Sequence, residues 1–108
     1  MNLEENKKLT KMKKLIGENK KRFQTRKDCD YLSDLLEIGI SEYEAWNHIL
    51  WLNQNMYFYD FKPDYLENNK ALIFKKIING EMAYIKLKIE KTIDGDEEVV
   101  CLSFHVDR

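Results

Sequence analysis

The dipeptide Asn79-Gly80 constrains the fold of this sequence more than any other feature, because it separates two runs with the character of strands. The runs, 70–78 and 81–91, are rich in apolar residues and are either alternating or continuously apolar. A two-residue type I′ turn needs positive φ at both central positions, which Asn and Gly adopt more readily than other residues. The sequence therefore predicts a tight antiparallel hairpin centred on Asn79-Gly80.

Two further segments extend this hairpin into a sheet. Asp94-Gly95 is a second turn signal of the same kind, and the run 97–106 that follows it again has the composition of a strand. The aromatic-rich segment 56–62 can add a strand at one edge. We therefore expect a three-stranded antiparallel meander that this segment extends.

The turns also predict which residues lie opposite one another, provided that each dipeptide occupies the centre of a two-residue turn. The pairs expected across the first turn are Ala83 with Lys76, Tyr84 with Lys75, and Lys86 with Ile73. The pairs expected across the second turn are Tyr84 with His105, Lys86 with Ser103, and Lys88 with Cys101.

Alternation along the strands then gives the sheet one apolar face and one polar face. The apolar face, which helices can cover, is expected to hold Ile85, Leu87, Ile89, Val100, Leu102 and Phe104. The polar face is expected to hold Lys75, Tyr84, Lys86, Lys88, Ser103 and His105. Cross-strand neighbours lie about 5 Å apart at Cβ, so Lys75, Tyr84 and His105 can reach one phosphate together.

Helical periodicity dominates the residues before the sheet. Over 3–22, apolar residues recur at the three- to four-residue and seven-residue intervals of one helical face, which predicts a first helix. A shorter stripe over 31–38 predicts a second helix, and Gly39 after it suits the left-handed conformation that ends many helices.

A third helix is predicted over 42–52. Ser41 and Glu44 have the spacing of a capping box, in which hydroxyl and carboxylate satisfy backbone N–H groups at the start of a helix. Without any Lys or Arg, this helix does not suit DNA recognition. We interpret His48 within it as a surface or packing residue.

The length of the chain limits it to one α+β domain over 1–108, with helices packed on a twisted antiparallel sheet. Its expected parts are a basic N-terminal helix within 1–24, two helices within 28–52, and the sheet within 56–106. The sequence has neither the roughly 20-residue apolar run of a membrane helix nor a signal peptide. We therefore expect a cytoplasmic protein without membrane contact.

Charge is distributed unevenly along the chain. Residues 1–28 hold ten Lys/Arg and four Asp/Glu, a local charge of +6, and the remainder has a local charge of −7. The basic segment can follow phosphates, or its lysines can form the solvated side of an amphipathic helix, and both interpretations stay open. Because the remainder is acidic, any RNA is expected to bind a local patch.

No metal ion or other cofactor is expected. Cys29 and Cys101 lie far apart without paired spacing, the chain has only two histidines, and its carboxylates form no ordered cluster. We interpret both cysteines as reduced thiols, with Cys101 in a strand.

The polar face carries the residue types of metal-free RNA cleavage. In that reaction a base takes the ribose 2′-hydroxyl proton, a cation stabilises the phosphorane, and an acid protonates the departing 5′-oxygen. His105 can serve as acid or base, Lys75 and Lys86 as electrostatic clamps, and Tyr84 as a donor or stacking surface. The same residue types also occur on ordinary half-exposed sheets, so a structural interpretation stays open.

The stretch from Leu35 to His105 resembles the MqsR-type toxins of bacterial toxin–antitoxin pairs, which belong to the RelE-like mRNA interferases. The similar pieces are LLEIGISEYEAWNHILWL, YFYDF, ALIFKKIINGEMAYIKLKI and VVCLSFH, of which the last two are the most specific. The resemblance implies a RelE/MqsR-like fold, metal-independent cleavage of mRNA, and a cognate antitoxin protein that neutralises the toxin.

By position, Tyr84 matches the strand tyrosine of that family, and His105 matches its basic or imidazole residue at the end of the last strand. Lys86 lies in the lysine-containing strand. Tyr59 or Asp60 stands where some members have a lysine, and Ala71 where they have a glutamine. The predicted catalytic residues are His105, Tyr84, Lys75 and Lys86, and the predicted RNA contacts are Lys88, Lys76, Tyr59 and Lys62.

A second function stays open, that of a non-enzymatic phage or mobile-element inhibitor that binds a protein or nucleoprotein partner. The acidic second half of the chain favours it, together with the aromatic residues over 57–61. Asp60, Asp64 and Glu67 can mimic phosphates, or they can belong to a solvated loop between strands.

Overall fold

The computed structural model describes residues 3–25, 30–61 and 71–107, and for 57–61 the backbone alone. Within these ranges the chain is an α+β protein with three α-helices and a five-stranded mixed sheet. The helices are α1 (Leu3–Gly17), α2 (Tyr31–Ile38) and α3 (Glu42–Leu50). The strands are β1 (Lys21–Phe23), β2 (Tyr57–Phe61), β3 (Ala71–Ile78), β4 (Glu81–Lys91) and β5 (Glu97–Val106).

The strands lie in the order β1-β5-β4-β3-β2. The predicted antiparallel meander forms β3, β4 and β5, and β2 extends it beside β3 as expected. β1, which was not predicted, pairs in parallel with β5 at the other edge. No helix in the described ranges is long and apolar enough to cross a membrane.

The first helix is shorter than predicted, since α1 ends at Gly17 rather than near residue 22. Asn19 adopts a positive φ of 63°. The backbone N–H of Asn19 donates to the carbonyl of Ile16 at 2.9 Å, and that of Lys20 donates to the carbonyl of Leu15 at 2.9 Å. This is the Schellman arrangement that terminates helices, and it turns the chain into β1.

The other two helices are bounded by side-chain caps and a left-handed glycine, of which Gly39 and the Ser41–Glu44 box were predicted and Asp30 was not. Asp30 accepts the backbone N–H of Leu32 at the start of α2, and Gly39 ends it with φ 88°. Ser41 and Glu44 form the predicted capping box of α3, with both hydrogen bonds at 3.1 Å.

The hairpin between β3 and β4 is the one predicted. Asn79 and Gly80 have φ values of 51° and 80°, as a type I′ turn requires. The expected pairs Lys76–Ala83, Lys75–Tyr84 and Ile73–Lys86 are all present.

The turn between β4 and β5 is longer than predicted, because Lys91 pairs with Glu97 and five residues connect them. Gly95 has a positive φ of 87°, and the N–H of Thr92 donates to the carbonyl of Asp96 at 2.7 Å. The predicted pair of Lys88 with Cys101 is therefore wrong, and Lys88 faces Val100.

A β-bulge at Leu102 then restores the predicted pairing further along β4 and β5. The pairing shifts by one residue between Lys86 and Leu87, which leaves Leu102 without a partner on β4. Beyond the bulge, the predicted pairs Lys86–Ser103 and Tyr84–His105 are present.

One core fills the space between the helices and one face of the sheet. On β5 its members are Val99, Cys101 and Phe104. The predicted core positions Val100 and Leu102 are therefore wrong, because the longer turn puts Val99 and Cys101 on the helix side and the bulge at Leu102 returns Phe104 to that side. We call the opposite side of the sheet the distal face; its central residues Ile73 and Val100 are also fully buried.

Asn79 links the hairpin to α2, since its Nδ2 donates to the carbonyl of Ile38 at 3.0 Å. We expect Asn79→Ala to lower the free energy of unfolding by about 2 kcal/mol, because it loses this hydrogen bond and strains a positive φ. Asn79→Gly keeps the backbone conformation and is expected to cost about 1 kcal/mol. Urea denaturation measures both, and equal stability of Asn79→Gly and wild type would contradict a role for the hydrogen bond.

Candidate active site

Tyr84 and His105 lie side by side on the distal face. They are direct partners on β4 and β5, and their rings stack with centroids 5.1 Å apart and planes 15° apart. The cross-strand pair therefore holds both rings in a defined position on the sheet.

A backbone contact sets the tautomer of His105. Its Nδ1 lies 2.8 Å from the carbonyl oxygen of Val106, which can only accept a hydrogen bond. Nδ1 therefore carries a hydrogen and donates it, so in the neutral ring the lone pair is on Nε2. Nε2 is the atom of His105 that can accept a proton from a substrate.

Lys75 completes the row, since it faces Tyr84 from β3. Its Nζ lies 2.8 Å from Oδ2 of Asp107, and both side chains are partly exposed. Lys75 and Asp107 lie on either side of β4, so their ion pair crosses that strand. Lys75, Tyr84 and His105 thus form one cross-strand row at one end of the distal face. The carboxylate of Asp107, which was not predicted there, is paired with Lys75 in this row.

The remaining lysines of the distal face lie further from this row. Lys86 faces Ile73 and Ser103, one step along β4 from Tyr84, as predicted. Lys88 lies another step away and forms an ion pair with Glu90.

Lys88 belongs to a separate network of charges. Arg22 donates to Glu90 from Nη2 and to Glu98 from Nε, each at 2.7 Å. The hydrogen bond to Glu98 is the main cause that raises the pKa of Arg22. Glu90 also forms an ion pair with Lys88. Lys88, a predicted RNA contact, is therefore part of an ion-pair network at the other end of the sheet.

Lys76 lies on the helix side of the sheet rather than on the distal face. It faces the buried residue Ala83, and burial lowers its pKa. Burial also lowers the pKa of His48 on α3, with a smaller contribution from the charge of Lys76. The two residues are therefore near each other, and the structure does not bring Lys76 together with Tyr84 and His105.

The structure does not describe the side chains of the other predicted RNA contacts. The backbone of Tyr59 pairs with Ile73, but its side chain lies outside the described part of the chain. Lys62, Asp64, Glu67 and Cys29 also lie outside the described residues, as does the side chain of Asp60.

A pocket of about 110 Å³ adjoins His105. Its walls include Phe23 and Tyr31, whose rings stack at 4.6 Å, together with Asp34 and His105. Burial, followed by the charge of Glu42, raises the pKa of Tyr31. The pocket forms where β1 stops pairing with β5, so it gives small groups access to the edge of the sheet beside His105.

Cys101 lies in β5, as predicted, but it is buried in the core rather than on the polar face where the predicted register put it. Burial raises the pKa of its thiol far above the ordinary value, which keeps it protonated and unreactive. Across residues 3–25, 30–61 and 71–107, no group of three or more His, Cys, Asp or Glu side chains is placed to hold a metal ion.

The sequence matches no protein-family model, and no curated protein shows significant similarity to it.

Proposed function

We propose that this chain is the toxin of a type II toxin–antitoxin pair, a metal-independent endoribonuclease that cleaves mRNA in the cytoplasm. Its helices and sheet then have the RelE/MqsR-like arrangement. The observation that carries the proposal is the stacked pair Tyr84 and His105, with Lys75 facing Tyr84 from β3.

These residues supply the groups that cleavage of RNA by its own 2′-hydroxyl requires. Nε2 of His105 takes the proton of the 2′-hydroxyl, whose oxygen attacks the phosphorus as the bond to the 5′-oxygen breaks. Lys75 and Lys86 stabilise the charge on the phosphorane. The departing 5′-oxygen takes a proton from the Tyr84 hydroxyl, which regains one from the His105 imidazolium. The products are a 2′,3′-cyclic phosphate and a 5′-hydroxyl.

A cognate antitoxin protein neutralises such a toxin by covering the same end of the distal face. Mixed apolar and charged groups are available there, because Ile77 and Met82 are exposed in the row next to Lys75 and Tyr84. Tyr59 and Lys62 remain predicted RNA contacts.

The ion pairs of the distal face favour a second function, a non-enzymatic inhibitor that binds a protein or nucleoprotein partner. Lys75 is paired with Asp107 and Lys88 with Glu90, while Arg22 is paired with both Glu90 and Glu98. Paired cations attract a polyanion less strongly than isolated cations, and the acidic remainder of the chain acts in the same direction.

Expression in bacterial cells separates the two functions. The proposal predicts growth arrest with fragmentation of mRNA, relieved by the adjacent open reading frame. Lys75→Gln is expected to relieve the arrest, whereas Lys91→Gln, the same change at the far end of β4, is expected to leave it intact.

Arrest without mRNA fragments would support the inhibitor instead. Harmless expression of a folded protein would contradict the toxin.

A further inference from the structure

The carboxylate of Asp107 forms an ion pair with Lys75, the cation of the candidate active site. Its Oδ2 lies 2.8 Å from Nζ of Lys75, and the two side chains are 28% and 27% exposed. Carboxylates and phosphates are both charge-assisted acceptors for an ammonium group. Asp107 therefore makes the contact that a bound phosphate needs to make with Lys75.

The backbone fixes Asp107 in this place. Its N–H donates to the carbonyl of Met82 at 2.7 Å, which continues the ladder between β4 and β5 beyond Val106. Asp107 follows His105 by two residues, so both side chains lie on the distal face. The carboxylate is thus held in a defined position on the distal face, at Lys75.

We infer that Asp107 is a built-in competitor of the substrate phosphate for Lys75, which weakens the affinity of the site for RNA. The inference rests on the proposed function, since it assumes that RNA binds at this row. A partly exposed ion pair contributes little stability, so a phosphate can displace the carboxylate. The same contact directs Lys75 across β4 while RNA is absent.

Removing the carboxylate is therefore expected to tighten binding. We expect Asp107→Asn to bind a fluorescent single-stranded 2′-fluoro RNA about fivefold more tightly than wild type, measured by anisotropy at fixed salt. The 2′-fluoro groups remove the nucleophile, so binding is measured without cleavage. Asp107→Glu keeps the charge and is expected to bind like wild type.

A change elsewhere on β5 controls for net charge. Glu97 forms an ion pair with Lys11 at 2.7 Å and is 32% exposed, much like Asp107, but it lies at the other end of the strand. Glu97→Gln removes the same charge and is expected to change the affinity less than twofold.

A double-mutant cycle locates the effect at Lys75. In a Lys75→Gln background, Asp107→Asn is expected to bring no gain in affinity for the RNA, because the cation for which Asp107 and the phosphate compete is absent. Thermal unfolding confirms that each variant is folded.

Each outcome decides the inference. If wild type binds RNA and Asp107→Asn binds equally or more weakly, the inference is wrong and the proposed function stands. A gain that persists without Lys75, or that Glu97→Gln reproduces, also contradicts it. If no variant binds RNA, the proposed function and the inference both fail.

Discussion

Replacing His105 by alanine is expected to lower the rate of mRNA cleavage by about 10²- to 10⁴-fold, the usual share of a general acid–base group. The loss follows because the proposed mechanism uses Nε2 of His105, in the stacked pair, as the proton acceptor. Single-turnover cleavage of a defined mRNA by purified protein measures the chemical step separately from product release.

The second histidine of the chain provides the control. His48 lies on α3 near Lys76, on the helix side of the sheet, so His48→Ala is expected to keep wild-type cleavage. Near-normal rates in a folded His105→Ala protein would remove His105 from the mechanism.

A charged side chain is expected to lower the free energy of unfolding far more at the position of Cys101 than at that of Leu102. Cys101 is 2% exposed within the core, so Cys101→Asp buries an unpaired carboxylate and is expected to cost more than about 3 kcal/mol. Leu102 is the partly exposed bulge residue, so Leu102→Asp is expected to cost about 1 kcal/mol or less.

Urea denaturation of the two variants tests the register of β5 directly. The register predicted from a two-residue turn at Asp94-Gly95 puts Leu102 in the core and Cys101 on the polar face. A folded Cys101→Asp protein beside an unfolded Leu102→Asp protein would therefore contradict the bulge.

The contrast between the two turns shows where sequence reasoning succeeds. At Asn79-Gly80 the local chemistry decides the conformation, and the whole register of β3 and β4 follows from it. At Asp94-Gly95 the strands end earlier, and a longer connection replaces the two-residue turn. The bulge at Leu102 has no local signal of that strength, because a bulge depends on packing between strands.

The cross-strand row of Lys75, Tyr84 and His105 was predicted correctly, although the predicted two-residue turn at Asp94-Gly95 was wrong. The longer turn shifts the register of β5 by one residue, and the bulge shifts it back before Ser103 and His105. Tyr84 therefore faces His105 as expected.

Two other features needed the three-dimensional structure. β1 contains only three residues and pairs with a strand far along the chain, while Phe23 continues the helical stripe of α1 in sequence. Asp107 follows the last residue of β5, and only the continued ladder with Met82 brings it beside Lys75.

Lys76 shows the limit of choosing RNA contacts by charge alone. It follows Lys75 by one residue, so strand alternation places it on the opposite face. The structure agrees, with Lys76 near His48 rather than near the stacked pair.

The most direct test of the central claim is the chemistry of the cut ends when purified protein acts on a defined mRNA in EDTA, with and without ribosomes. The proposed mechanism predicts fragments with a 2′,3′-cyclic phosphate and a 5′-hydroxyl, and no cleavage where a 2′-deoxynucleotide replaces the attacking ribose. Cleavage that requires a divalent metal ion and leaves 5′-phosphates, or intact RNA under both conditions with folded protein, would contradict it.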